Sequence, residues 1–116
     1  MDRVKNTKIA MANLCIGLMS GTSLDGVDAV VVNTTATQLL AKTYLPYPKS
    51  LKQQLRSLTQ SGQTQLKDLA DIDTQVANFF ADAVDVLLEN ANILATDIEV
   101  IGSHGQTIFH QGGEYS

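Results

Sequence analysis

The stretch from Ser20 to Asp28, SGTSLDGVD, constrains the fold more than any other part of the chain, because it joins two short apolar segments. The segments Leu14 to Met19 and Val27 to Asn33 have the composition of strands that are buried on both faces. Within the loop, Asp25-Gly26 is a dipeptide that favours hairpin turns. The sequence therefore predicts two antiparallel strands joined by a loop longer than a tight hairpin requires.

The chain after this hairpin predicts a third strand, two helices and a fourth strand. Gln38 to Leu45 has strand composition, and leucines at helical spacing predict a helix over Pro48 to Gln60. A long helix is predicted from Thr64 to about Ala91, and its acidic residues Asp68, Asp71, Asp82, Asp85 and Glu89 mostly fall on the solvent side. Its packed face is predicted from residues at helical spacing: Leu66, Leu69, Asp73, Val76, Phe80, Ala83, Leu87 and Ala91. Ile98 to Gly102 predicts a further central strand, followed by a polar loop at residues 103–107. The fold class is α/β: an antiparallel three-stranded meander, then helices and a further strand.

Composition excludes some classes of function. The 116 residues carry a net charge of −4 and no cluster of Lys and Arg, which disfavours nucleic-acid binding. The chain contains neither a basic amphipathic stretch nor an apolar run of about 18 residues, so its sequence does not suggest contact with a membrane. Cys15 is the single cysteine, so an internal disulfide is impossible. These features predict a cytoplasmic protein.

The N-terminus allows two interpretations. Lys5 and Lys8 precede an apolar run from Ile9 to Met19, which loosely resembles a signal peptide. Asn13 interrupts that run, no A-x-A cleavage pattern follows, and the first strand needs the same residues. We therefore expect residues 1–13 to be an N-terminal tail, with Met11 as an alternative start, and residues 14–116 to be the first part of one domain.

The loop has the donors that a phosphate group requires. Gly21 and Gly26 allow backbone N–H groups to approach an anion closely, and successive N–H groups in a turn form an anion-binding nest. Thr22 and Ser23 add two hydroxyl donors. No lysine follows the glycines and no helix follows directly, so the loop is not a Walker P-loop. By composition alone, an ordinary hairpin is an equally good interpretation.

Two carboxylates favour a metal–polyphosphate over a bare anion. Asp25 and Asp28 repel phosphate but can hold Mg²⁺, usually through water. Asp28 also falls within an apolar strand, where a carboxylate is costly unless it has a function. Either residue is therefore a candidate to hold Mg²⁺.

A second polar motif follows the fourth strand. His104, Gln106, Ile108 and His110 alternate, so an extended segment would place them on one face. A metal pair from His104 and His110 is disfavoured because no cysteine or carboxylate falls at ligand spacing. Since ligands bind at strand ends in open α/β sheets, His104, Gln106 and Thr107 are predicted to contact a substrate or line its cleft.

The two motifs together resemble those of the anhydro-N-acetylmuramic acid kinase family. Residues 19–28, MSGTSLDGVD, and residues 101–107, IGSHGQT, carry the resemblance. Between them lie Leu69, Asp71 (one residue out of register with the pattern), Asp73-Thr74-Gln75 and residues 79–83. The likeness covers nearly all of the chain from Leu14 to His110. It implies an actin-like ATPase domain of the ribonuclease-H-like type, in which ATP binds between two lobes.

The resemblance also implies an activity and a site. Such enzymes use ATP to phosphorylate 1,6-anhydro-N-acetylmuramic acid while water opens the anhydro ring. By this likeness the ATP phosphates bind at Gly21, Thr22, Ser23, Leu24, Asp25, Gly26, Val27 and Asp28. The wider actin-like group carries an aspartate where this chain has Met19. The general base is expected beyond Ser116, and a homodimer is a further expectation. An actin-like ATPase of chaperone or filament type, another sugar or acid kinase of the same fold, and a plain ligand-binding module remain alternatives.

Overall fold

Four strands form one mixed sheet in the computed structural model, which describes residues 13–20, 24–106 and 108. The strands are β1 Leu14–Ser20, β2 Gly26–Asn33, β3 Gln38–Pro46 and β4 Ile98–Gln106, in the order β3-β2-β1-β4. β2 pairs antiparallel with both β1 and β3, whereas β4 pairs parallel with β1. The predicted meander followed by a helical crossover into a further strand is confirmed.

Two helices make that crossover, and residues typical of helix ends mark their bounds. α1 is Lys49–Ser61 and α2 is Leu66–Ala91, followed by a short 3₁₀ turn at Ala95–Asp97. Pro48 precedes α1 with φ of −58°, and Gly62 ends it in the left-handed conformation with φ of 67°. Asn92 ends α2 in the same way, with φ of 58°.

The core lies on one face of the sheet. Residues of β1 and β2 that point toward the helices are buried, and those that point away are half-buried or exposed. The core joins alternate strand residues to both helices: Ile16, Leu18, Val27, Ala29, Val31, Leu51, Leu55, Phe79, Phe80, Ala83 and Leu87. The prediction of strands buried on both faces is wrong for the described residues, because α1 and α2 pack on the same side.

The buried face of α2 differs from the predicted one near the helix start. The predicted face was Leu66, Leu69, Asp73, Val76, Phe80, Ala83, Leu87 and Ala91. Leu66 is 84% exposed and Asp73 is exposed, whereas Ile72 and Phe79 are buried. The predicted solvated acidic residues are all exposed: Asp68, Asp71, Asp82, Asp85 and Glu89. The difference therefore shifts the packed stripe by one residue in this part of the helix.

β4 is longer than predicted. Residues 103–106, predicted as a loop, continue the strand, because β1 offers a parallel partner up to Ser20, which pairs with Gln106. The register shifts between Leu18 and Ser20, since Leu18 pairs with Ser103 and β4 then contains one additional residue. Gly105 adopts φ of 71° at this irregularity. The irregularity decides which face the following side chains occupy.

Candidate functional site

The loop between β1 and β2 is closed at its neck by a buried hydroxyl. Ser20, the last residue of β1, is 5% exposed, and its Oγ donates to the carbonyl oxygen of Gly26 at 2.8 Å. Gly26 is the first residue of β2. Gly21, Thr22 and Ser23 lie outside the described residues, so their phosphate-binding role stays a prediction. The hydrogen bond between Ser20 and Gly26 joins the two ends of the loop.

Leu24 anchors the loop in the core. Its side chain is 6% exposed, and its backbone has φ of 62°, a region that a residue with a branched side chain rarely adopts. Strained backbone of this kind persists only where the surroundings stabilise it, and it is enriched at ligand sites. The burial of Leu24 supplies that stabilisation. Its contribution to the site is therefore an anchor, with its side chain turned away from solvent.

Asp25 is held by its backbone and by its side chain. Its carbonyl oxygen accepts a hydrogen bond from the Tyr47 N–H at 2.9 Å. Its Oδ1 lies 3.2 Å from Nζ of Lys52 on α1. Both side chains are partly exposed, so the ion pair contributes little to stability. It does place a cation beside the loop and reduces the negative charge that Asp25 presents.

Gly26 and Val27 have structural roles in the described chain. A Cβ on Gly26 would lie 2.4 Å from the carbonyl oxygen of Leu45 and 2.8 Å from Cα of Pro46, so β3 leaves no space for a side chain. Val27 is fully buried on the helix-covered face. The sequence predicted Asp25-Gly26 as the turn, but Gly26 already belongs to β2. Neither position offers a side chain to the solvent, which leaves only their backbone groups available for binding.

Asp28 lies on the open face of the sheet. It pairs with Met19 of β1 and Tyr44 of β3, and its carboxylate is exposed. Partial desolvation, followed by the negative charges of Asp25 and Asp28, raises the pKa of Tyr44 above its ordinary value. The prediction that Asp28 is costly within an apolar strand is wrong, because no described helix covers this face.

A groove of about 450 Å³ runs beside Asp28 across this open face, and His104 lines it. Gly17 and Gly102, paired in register, form part of its floor. His104 is exposed there. The structure thus places His104 and Asp28 along one groove, at the ends of two different strands.

Gln106 lies on the opposite face. Its Oε1 accepts hydrogen bonds from Ser20 Oγ at 2.5 Å and from the Tyr47 hydroxyl at 2.7 Å, on the side that faces the helices. The prediction that His104 and Gln106 share a face is wrong, because the additional residue at Gly105 reverses the alternation. Thr107 and His110 lie outside the described residues. Of the residues after Gln106, the structure describes Ile108 alone, and Ile108 lines an apolar groove beside α2.

Sequence reasoning missed Tyr47 and Lys52 near the loop, and it placed Ser20 at the start of the loop without predicting its contacts. Tyr47 is 5% exposed and its ring packs against Phe79, with the ring centroids 4.9 Å apart. A tyrosine between two prolines, in a chain with few aromatic residues, was a usable signal. Lys52 had none, since a lysine in the first turns of a helix is commonly solvated.

The alkaline stability of the chain should depend on Tyr47. Burial raises the pKa of the Tyr47 phenol above 10.0, and the hydrogen bond with Ser20 partly opposes this shift. Between the pKa of the unfolded chain and that of the folded chain, the folded chain keeps a proton that the unfolded chain has released. The contribution of the buried neutral phenol to stability is therefore lost as the pH rises through the folded pKa. The free energy of unfolding should decrease above about pH 10, and it should decrease less in Tyr47→Phe. Urea denaturation across this range measures both. Tyr44→Phe is the comparison: the pKa of Tyr44 is also raised, but its side chain is 49% exposed, so this variant should reduce the alkaline loss less than Tyr47→Phe does. An identical alkaline loss in Tyr47→Phe and the unaltered chain would contradict the assignment.

The donors present fit magnesium only in combination with a polyphosphate. Within the described part of the chain, no group of three or more His, Cys, Asp or Glu residues could hold a metal ion. Mg²⁺ commonly takes one or two carboxylates together with substrate phosphates and water. Asp28 meets that requirement better than Asp25, since Lys52 already pairs with Asp25.

The comparison with protein families identifies the family to which the chain belongs. The family model AnmK, anhydro-N-acetylmuramic acid kinase, matches residues 13–116. The chain belongs to the anhydro-N-acetylmuramic acid kinase family. It therefore carries part of an actin-like ATPase domain, and the observed strand order is that of the opening of such a domain.

Relatives bearing the same family name align over most of this chain. The protein of Hydrogenovibrio crunogenus is 52% identical over 101 residues, covering 85% of this chain and 28% of its own length. That of Aliivibrio fischeri is 50% identical over 97 residues, covering 82% and 26%. That of Vibrio vulnificus is 46% identical over 105 residues, covering 88% and 28%. The chain thus spans little more than a quarter of the length of these curated relatives.

Neither described helix is both long enough and apolar enough to cross a membrane.

Proposed function

We propose that the protein containing this chain transfers the γ-phosphoryl group of ATP to 1,6-anhydro-N-acetylmuramic acid. Water adds across the anhydro bond in the same reaction, so the products are N-acetylmuramic acid 6-phosphate and ADP. Membership in the kinase family supports the use of ATP. The reaction belongs to murein recycling in the cytoplasm, where ATP is available. The homodimer stays a prediction.

The observation that supports this function best is the neck of the β1–β2 loop, which the protein's own groups close. The Ser20 hydroxyl donates to the Gly26 carbonyl, and the buried Leu24 side chain holds the loop against the core. Phosphoryl transfer depends mainly on positioning and on neutralising charge. A loop whose ends are fixed can present N–H and hydroxyl groups at a constant position. Its own residues therefore supply binding and orientation, while the general base is expected beyond Ser116.

Bound Mg²⁺ would neutralise charge on the transferring phosphoryl group. Asp28 is the residue of this chain that we assign to hold it, directly or through water. Asp25 keeps its ion pair with Lys52. His104, at the other side of the groove from Asp28, is proposed as a sugar contact.

An assay with the protein expressed from its complete reading frame tests this function. ADP release should require 1,6-anhydro-N-acetylmuramic acid and Mg²⁺, and each ADP should be matched by one phosphorylated sugar. N-acetylmuramic acid serves as the control acceptor, because it lacks the anhydro bond that the reaction opens. ATP hydrolysis that ignores the sugar and yields no phosphosugar would reject the proposal and favour the chaperone or filament type of ATPase. Transfer to a different sugar would favour another kinase of the same fold.

A further inference from the structure

Three strand ends meet at one buried group of side chains beneath the loop. Ser20 ends β1, Tyr47 follows β3, and Gln106 ends β4. The Ser20 and Tyr47 hydroxyl oxygens are 3.2 Å apart, and both hydroxyls lie within hydrogen-bond distance of Gln106 Oε1. We call Ser20, Tyr47 and Gln106 the clasp. The clasp joins the neck of the loop to the segment that contains His104.

The protons available make the clasp a coupled unit. The Tyr47 hydroxyl donates to Gln106 Oε1. Ser20 has one hydroxyl proton and three possible acceptors: the Gly26 carbonyl, Gln106 Oε1 and the Tyr47 hydroxyl oxygen, at 2.8, 2.5 and 3.2 Å. At a given moment Ser20 therefore donates to the neck of the loop, to the end of β4 or to Tyr47, and to only one of them. A change at one strand end is transmitted to the other through this single proton.

The surroundings fix the clasp in place. Ser20 and Tyr47 are each 5% exposed, so water competes little for their hydrogen bonds. The Tyr47 ring packs against Phe79 of α2, which sets the position of the hydroxyl. The Tyr47 N–H also binds the Asp25 carbonyl. One residue therefore contacts the helix layer, the loop and the end of β4.

We propose that the clasp positions the phosphate-binding loop relative to the His104 segment, so that phosphoryl donor and acceptor are held at a productive separation. The inference rests on the proposed function. Ser20, Tyr47 and Gln106 are positioning residues in this account and touch neither substrate. A displacement of about 1 Å in such a site costs about 100-fold in rate. Loss of the clasp should therefore lower kcat more than it changes the KM of either substrate.

Tyr47→Phe is the variant that tests the proposal, because it removes the hydroxyl and keeps the ring against Phe79. We expect kcat to fall at least about tenfold, with both KM values within about twofold of the unaltered protein. Val31→Ala is the control: it removes core packing at a fully buried residue of β2, five positions along the strand from Gly26, and removes no side-chain hydrogen bond. It should lower the melting temperature more than Tyr47→Phe does and leave kcat nearly unchanged. If kcat follows the melting temperature across both variants, the clasp is merely structural and the proposal is overturned.

A double-variant cycle separates the clasp from two independent contacts. Ser20→Ala and Tyr47→Phe both interrupt the same coupled unit. The combined variant should therefore lose little more activity than the more severe of the two single variants. Losses that multiply would overturn the proposal.

Hydrogen exchange tests the clasp without relying on activity. In the ligand-free protein, Tyr47→Phe should accelerate amide exchange about tenfold at the end of β1 and at the end of β4 together. Acceleration confined to the neighbourhood of residue 47 would overturn the clasp. If the unaltered protein phosphorylates no anhydro sugar, the proposed function fails, and the exchange result alone decides the inference.

Discussion

Gly26→Ala should destabilise the fold by about 3 kcal/mol, the upper part of the usual range for overpacking. The added Cβ would lie 2.4 Å from a backbone oxygen of Leu45, and backbone cannot move aside as a flexible side chain can. The clash falls between β2 and β3, next to the neck of the loop. Urea denaturation measures the loss as a change in the free energy of unfolding.

Gly102→Ala is the matched control for that prediction. Gly102 is also a strand glycine without positive φ, but a Cβ there meets nothing within 4 Å. Alanine suits a strand at least as well as glycine, so stability should change by less than about 0.5 kcal/mol. Equal stability of the two variants would show that β3 can move away from Gly26 at little cost.

The second large effect is expected for nucleotide binding. Thr22→Ala combined with Asp28→Asn should weaken MgATP binding by about 1 to 3 kcal/mol, or about 5- to 150-fold, the scale of lost charge-assisted hydrogen bonds. Asp28 has no ion-pair partner among the described residues and its carboxylate is exposed. Isothermal titration with a non-hydrolysable ATP analogue and Mg²⁺ measures the change.

Asp25→Asn provides the comparison for Asp28. It removes a carboxylate of the same loop but also frees Lys52, whose positive charge then favours phosphate. We therefore expect its effect on MgATP affinity to be smaller than that of Asp28→Asn alone. A larger effect of Asp25→Asn would transfer the magnesium role to Asp25. Unchanged affinity in a correctly folded Thr22→Ala, Asp28→Asn variant would remove phosphate binding from this loop.

The elements of the fold were predictable because their signals are local. Pro48 and Gly62 mark the ends of α1, and short apolar runs mark β1 and β2. The one-sided burial was not predictable, since an apolar run does not show whether a layer covers both of its faces. The extension of β4 through Ser103 to Gln106 was missed because polar residues form a strand there only through pairing with β1.

The candidate site was predictable as a list of residues but not as an arrangement. The loop and the His104 segment both stand at strand ends, as expected. His104 and Gln106 lie on opposite faces of the sheet because β4 contains one additional residue where it pairs with β1. The alternation of residues in the sequence cannot reveal this irregularity. The roles of Ser20 and Tyr47 were missed because they come from a contact between positions far apart in the chain.

That contact has a consequence for how the chain folds during its synthesis. Ser20 and Gln106 are separated by 86 positions, whereas β1, β2 and β3 are joined by short connections. Local pairings form faster than distant ones, so the meander should assemble first and β4 should dock last. A nascent chain released before residue 106 would have the loop without its partner from β4. The chain would then become able to hold two substrates in alignment only when β4 docks, which is a late step of folding that follows formation of the loop.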